Sequence, residues 1–79
     1  MKFDFSNDAM KAIGNLDANT AGRIIKGIMK LPNKGNIKAL EGEHAGRLRL
    51  RIGDWRILYV IDNNTVMIDD ILPRGDAYK

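Results

Sequence analysis

The stretch Arg47-Leu-Arg-Leu-Arg-Ile-Gly-Asp-Trp-Arg56 decides how this chain folds. Three arginines alternate with three aliphatics, a two-residue turn follows, and a fourth arginine comes back. Alternation at period two means a half-buried strand, with Leu48, Leu50 and Ile52 on one face and Arg47, Arg49 and Arg51 on the other. Gly53-Asp54 reads as a tight hairpin loop with glycine first, the arrangement of a type II′ turn. A loop of that length sets Ile52 opposite Trp55, Arg51 opposite Arg56, Leu50 opposite Ile57 and Leu48 opposite Tyr59. Directly opposite residues share a face. The hairpin therefore has an apolar side, extended by Ile61, and a side bearing Arg47, Arg49, Arg51 and Arg56. Like charges facing each other destabilise a sheet, so the Arg51–Arg56 pair implies that an anion is met there. The bland alternative is pairing of these arginines with Asp54, Asp69 or Asp70.

Outward from the hairpin, Trp55 to Ile61 is apolar at nearly every position after Arg56, as in a central strand covered on both faces. Asp62-Asn-Asn-Thr65 is a second tight turn, in which Asn63 and Asn64 tolerate the positive φ of a type I′ loop. Thr65 to Ile71 is the next strand. Continued register pairs Tyr59 with Ile68 on the apolar face and Leu58 with Asp69 on the arginine face. Leu72-Pro73 breaks the pattern, and the tail Arg74 to Lys79 is polar and short.

Upstream, Met1 to Phe5 forms a first short strand, with Phe3 and Phe5 on one side. Ser6 or Asn7 caps a short helix that carries Met10, Ile13 and Leu16. Asp17 or Asn19 begins a second helix with the apolar stripe Ile24, Ile25, Ile28 and Leu31. Arg23, Lys26, Lys30 and Lys34 lie on a different side of it, and Pro32 ends it. Asn33 to Gly46 lacks periodicity and reads as a long connection anchored by Leu40; loops of this length are often functional. It holds His44, the one histidine. The expected fold class is α+β: a small antiparallel sheet in the order β-α-α-β-β-β, with the two N-terminal helices packed on its apolar face.

Seventy-nine residues make one domain, residues 1–79, near the lower limit for folding alone. There is no cysteine, hence no disulfide or thiolate metal site. No apolar run reaches the length of a membrane span. The start Met1-Lys-Phe-Asp-Phe has an acid where a signal peptide is basic and then apolar, so the expected compartment is the cytoplasm. The net charge of +3 hides an asymmetry. From Arg23 to Arg56 there are nine Lys/Arg against three Asp/Glu, or +6; the remainder has four against seven, or −3. A basic window of this kind suits nucleic acid, and is equally the mark of a solvated surface. The sequence has no glycine-rich phosphate loop, no His/Cys/carboxylate metal cluster and no Cys nucleophile. No metal or cofactor is expected. What remains is arginine chemistry: planar forks, charged at any working pH, that grip phosphate and stabilise charge developing on it.

The run Leu48 to Tyr59 resembles the signature of the RelE/ParE toxin superfamily, commonly R-L-R-V-G-D-Y-R-V-I-Y. The similarity extends upstream to Leu40-Glu-Gly42, like the family's L-x-G, and downstream to Ile71-Leu-Pro-Arg74 and Tyr78, like its I-x-H-R…Y. The order of elements agrees, so the resemblance covers nearly the whole chain. It implies the toxin of a type II toxin-antitoxin system, neutralised by an antitoxin encoded in an adjacent gene. RelE-type members are metal-independent endoribonucleases that cut mRNA at the ribosome: the ribose 2′-OH attacks the adjacent phosphate, leaving a cyclic phosphate and a 5′-OH end. Carried over, Arg56 is the contact to the scissile phosphate, Arg74 the C-terminal arginine, and Tyr78 the tyrosine that orients the substrate. Arg47 and Arg49 stand where RelE has two strand lysines. An arginine stays protonated, so Arg49 becomes an electrostatic stabiliser and His44 or Tyr78 the candidate base. Arg47, Arg49 and Arg51, with Lys26 and Lys30, are the expected RNA-binding residues. Pro73 replaces the family's frequent histidine. The chain has no motif for binding DNA directly, so no direct DNA binding by this chain alone is expected. The resemblance also leaves two alternatives, a ParE-type inhibitor of DNA gyrase without nuclease activity and an inactive homologue that only pairs with an antitoxin.

Overall fold

The computed structural model describes residues 2–31, 36–40 and 46–73. Its elements are β1 (Lys2–Phe5), α1 (Asn7–Gly14), α2 (Ala18–Met29), β2 (Asn36–Ala39), β3 (Leu48–Ile52), β4 (Trp55–Asp62) and β5 (Thr65–Pro73). The strands form one sheet in the order β1-β5-β4-β3-β2. The α+β class with two helices stands. The sheet, however, is mixed and five-stranded: β1 pairs parallel to β5. A β-α-α excursion followed by three antiparallel steps returns the chain beside β1, an arrangement that the expected all-antiparallel sheet lacks.

The additional strand is β2, inside the segment that reads as an irregular connection. Ile37 pairs with Leu50, Lys38 with Arg49 and Ala39 with Leu48, and Leu40 N–H donates to Arg47 C=O at 3.0 Å. Its four residues are too few for alternation to stand out, and its pairing comes from β3 rather than from local propensity. Residues 32–35 and 41–45 lie outside the described part, and His44 with them.

Both hairpin turns take the geometries their residues demand. Gly53 has φ +57° and is the left-handed first residue of its loop; Asn63 and Asn64 have φ +48° and +60°, as type I′ requires. The β3–β4 register is Leu48 to Tyr59, Leu50 to Ile57, Arg51 to Arg56 and Ile52 to Trp55, as the alternation predicts. Across β4–β5, Tyr59 faces Ile68, but Leu58 faces Asp70 and not Asp69. The register shifts at Leu58/Tyr59, and Asp69 is the extra residue of a bulge. The shift carries β5 on through Leu72 and Pro73, opposite Arg56 and Trp55. Pro73 is tolerated because β1 pairing ends at Ile68, leaving β5 an edge from there on.

The core lies between the sheet and the helices. Ile24, Ile28, Leu31 and Ala9 from the helical layer meet Leu50, Ile57, Tyr59, Val66, Ile68 and Ile71. Two residues assigned to apolar helix stripes are on the outside: Met10 is 61% and Ile25 40% exposed. Each lies one step round the helix from a smaller or better-aimed residue, Ala9 and Ile24, that takes the buried place. Ser6 caps α1, accepting from Ala9 N–H at 3.0 Å while its hydroxyl donates to the Asp69 carbonyl, so the cap also ties α1 to the bulge. Asp17 caps α2 through Thr20, and the Thr20 hydroxyl and N–H lower its pKa. Gly27 lets α2 press on β3: a Cβ there would fall on Ile52 Cδ1 and lie 3.1 Å from its Cγ1. Among the described residues, no helix is long and apolar enough to cross a membrane.

Candidate functional site

Because the core takes one set of alternating residues, the other set is aimed at the face the helices leave open. Register arranges that face in rows across the strands. One row runs Arg51, Arg56, Leu72; the next runs Lys38, Arg49, Leu58, Asp70. Rows along a strand are about 7 Å apart and neighbours within a row about 5 Å. Arg51 and Arg56 in one row and Lys38 and Arg49 in the next thus form a block of four cations on β2, β3 and β4, the two rows offset by one strand. Toward β1 the face turns acidic, with Asp4 beside Met67 and with Asp69 at the bulge.

The four arginines of the hairpin are not equivalent. Arg47 Nη1 forms an ion pair with Asp69 Oδ2 at 3.2 Å, both side chains partly exposed. The bulge makes this pair, by turning Asp69 out of the ladder. Asp70, by contrast, accepts from its neighbour Ile71 N–H at 2.8 Å. Arg51 is exposed, and its Nε donates to the Gly53 carbonyl at 3.4 Å, a long and weak bond. Arg56 is half-buried, and its Nη1 is shielded from water with no hydrogen-bond partner among the described residues. A buried donor left unmade costs about 1–3 kcal/mol, more when charged. Leu58, 2% exposed, and Leu40, 8% exposed, lie on this same face outside the main core cluster and give it an apolar floor.

The structure therefore brings together Arg49, Arg51 and Arg56 from the expected set. Arg47 stands one row away, tied to an aspartate. Lys26 in α2 and Lys30 at its C-cap lie with the helical layer, on the far side of the sheet from this block. Arg74, Tyr78 and His44 lie outside the described residues. Lys38 joins the block unforeseen, because its segment reads as loop. The signal is present in Ile37-Lys-Ala-Leu40, whose alternation sets Lys38 and Leu40 against Ile37 and Ala39. Among the described residues there is no group of three or more His, Cys, Asp or Glu able to hold a metal. What the block can do chemically is bind and stabilise phosphate charge.

The same architecture recurs in solved structures. The RelBE2 toxin-antitoxin complex of Mycobacterium tuberculosis contains a chain that is 25% identical, with a TM-score of 0.80 over 92% of this chain and 96% of that one. The RelB-RelE antitoxin-toxin complex of Methanococcus jannaschii matches at 23% identity and TM-score 0.76, covering 95% and 94%. YafQ of E. coli matches at 12% identity and TM-score 0.71, covering 99% and 98%. The last two are likenesses of fold. No curated protein sequence matches the chain. The model of the family described as "ParE toxin of type II toxin-antitoxin system, parDE" matches residues 3–78. With that match spanning almost every residue and the RelE-like architecture beneath it, the chain belongs to the ParE toxin family of type II toxin-antitoxin systems.

Proposed function

We propose that this toxin is a metal-independent endoribonuclease that cuts mRNA, acting at the ribosome, and that an antitoxin encoded beside it holds it inactive. The observation that carries the reading is the Arg51–Arg56 pair on the open face, flanked by Arg49 and Lys38, with a shielded Arg56 nitrogen that lacks an acceptor among the described residues. Two arginines directly opposite each other are unfavourable until an anion fills the space between them. An RNA backbone supplies phosphates at the spacing of the block, and the guanidinium forks hold them bidentately.

In this mechanism the ribose 2′-OH attacks the adjacent phosphorus, and the bond to the 5′ oxygen of the next nucleotide breaks. A 2′,3′-cyclic phosphate and a 5′-OH end result. Arg56 neutralises the charge that builds on the phosphoryl oxygens, Arg49 and Arg51 fix the backbone, and Arg74 and Tyr78 complete the site. No histidine is present on the described part of the face, so the 2′-OH proton is assigned to His44 or Tyr78. A cut confined to the ribosome fits a face rich in electrostatic stabilisers and poor in bases, because the ribosome can align the nucleophile that the toxin does not deprotonate strongly.

The test is induction of the wild-type chain with mapping of mRNA 5′ ends, with and without the adjacent gene. New 5′-OH ends within codons are expected, suppressed by the neighbour, and Arg56→Ala should abolish them while the protein stays folded. Unchanged cleavage and growth arrest in Arg56→Ala would refute the assignment. The matched family model supports a second reading, ParE-type inhibition of gyrase; there, replication stops first and mRNA stays intact. A chain that only pairs with an antitoxin would leave growth normal when induced alone.

A further inference from the structure

The α2 residue Arg23 reaches the turn of the arginine hairpin, thirty residues away in sequence. Its reach follows from packing: Gly27 seats α2 on Ile52, and Arg23, one helical turn earlier on the same side, is thereby directed at the end of β3. The Arg23 guanidinium covers Gly53 so closely that a Cβ on Gly53 would lie 2.8 Å from Nη2. From the sheet side, Arg51 Nε donates to the carbonyl of the same glycine. Two guanidiniums, from two layers of the fold, thus converge on one turn residue, with Arg56 directly across from Arg51. Asp54 is the acid within the turn, so the hairpin end keeps a positive excess.

Arg23 is exposed and forms no ion pair among the described residues. On its outer side a shallow depression of about 340 Å³ is lined by Ala18, Asn19, Gly22, Arg23 and Lys26. It has no acidic lining residue. The nearest acid along the helix is Asp17, and both of its carboxylate oxygens are occupied by Thr20. Gly22 has open space where a side chain would be, which keeps the depression accessible.

We infer that Arg23 is a phosphate-binding residue and that the RNA interface is a track, not a patch. From the Arg49–Arg51–Arg56 block the strand passes the Gly53 turn, is held there by Arg23, and runs on toward Lys26. This inference rests on the RNA reading above. It gives Arg23 a role in binding flanking nucleotides, with no part at the reacting atoms, and it returns Lys26 to the interface by a route over the hairpin end.

The test uses the full chain with 2′-O-methyl oligonucleotides, which lack the attacking hydroxyl and are not cut, followed by fluorescence anisotropy across a salt series. A trinucleotide fills the arginine block; a decanucleotide also reaches over the turn. Arg23→Gln should weaken decanucleotide binding by about three- to tenfold and reduce the log–log salt slope by about 0.7, the value for one phosphate contact on a single strand. Trinucleotide binding should not change, and Arg23→Lys should keep most of the slope. Decanucleotide affinity and slope equal to wild type in Arg23→Gln would overturn the inference. Arg56→Ala separates the two claims. If it weakens both oligonucleotides while Arg23→Gln weakens neither, only the track falls. If the wild type binds neither, the RNA reading falls and takes the track with it. A thermal melt of each variant checks folding, and should Arg23→Gln fail it, Arg23→Lys and Lys26→Gln decide on the decanucleotide.

Discussion

Replacing Gly27 by alanine pits two effects of similar size against each other, and the structure says which wins. Alanine in a helix interior is better than glycine by about 1 kcal/mol. At Gly27, however, the added methyl falls on Ile52 Cδ1 and lies 3.1 Å from Cγ1, so the far end of Ile52 and part of its branch must move. Overpacking of this kind costs about 1–3 kcal/mol. The expected net effect is a loss of ~1 kcal/mol, which for a chain of this size lowers Tm by about 4–8 °C. Gly22, in the same helix, has nothing within 4 Å of the corresponding position. There the same substitution should stabilise by about 0.5–1 kcal/mol and raise Tm. The opposite signs remove helix propensity as the explanation. Ile52→Val deletes the offending Cδ1; alone it should cost about 0.5 kcal/mol, the low end for a half-buried site. In the Gly27→Ala background it should cost nothing or stabilise, a coupling of ~1 kcal/mol between touching residues. Urea and thermal unfolding of the four proteins and of Gly22→Ala, each made with Arg56→Ala so that host growth imposes no selection, measures the cycle and the Tm shifts. If Gly27→Ala raises Tm as Gly22→Ala does, and Ile52→Val costs the same in both backgrounds, the close seating of α2 on β3 is wrong. The direction of Arg23 would be wrong with it.

Three other outcomes can be checked by unfolding measurements. Arg51→Thr removes one member of the opposed arginine pair, so it should stabilise by about 0.2–1 kcal/mol while weakening RNA binding; a destabilised variant would mean the pair is already neutralised. Ser6→Ala deletes both the α1 cap and the donor to the Asp69 carbonyl, and should cost about 1–2 kcal/mol in urea, against no more than a few tenths for exposed Asn7→Ala. Tyr59 is 1% exposed and burial raises its phenol pKa. The unfolded chain therefore releases this proton first. Stability is intact below about pH 10, falls as pH rises through the folded pKa, and falls less steeply in Tyr59→Phe; parallel pH profiles would show that Tyr59 is not desolvated.

The sequence by itself determined the hairpin and nearly all that follows from it. Period-two alternation, with Gly53 and the Asn63–Asn64 pair as turn residues, settles strand faces, turn types and the β3–β4 register, because each rests on local backbone geometry. That is why the Arg51–Arg56 opposition is legible in the alternation itself, and with it the resemblance to a toxin family. The helix caps are legible for the same reason, down to a choice between Ser6 and Asn7 for α1 and between Asp17 and Asn19 for α2.

Only the tertiary structure decided what depends on neighbours distant in sequence. β2 exists because β3 offers it an edge, and it brings Lys38 to Arg49. The bulge at Asp69 is a mismatch between two strands, invisible within either; it moves the partner of Leu58 by one residue and hands Asp69 to Arg47. Exposure of Met10 and Ile25 depends on how each helix rolls on the sheet. Arg23 meets Gly53 because α2 crosses β3 at a glycine. Local chemistry wrote the arginine face, and long-range packing chose which of its arginines are paired, which are left for an anion, and what else stands beside them.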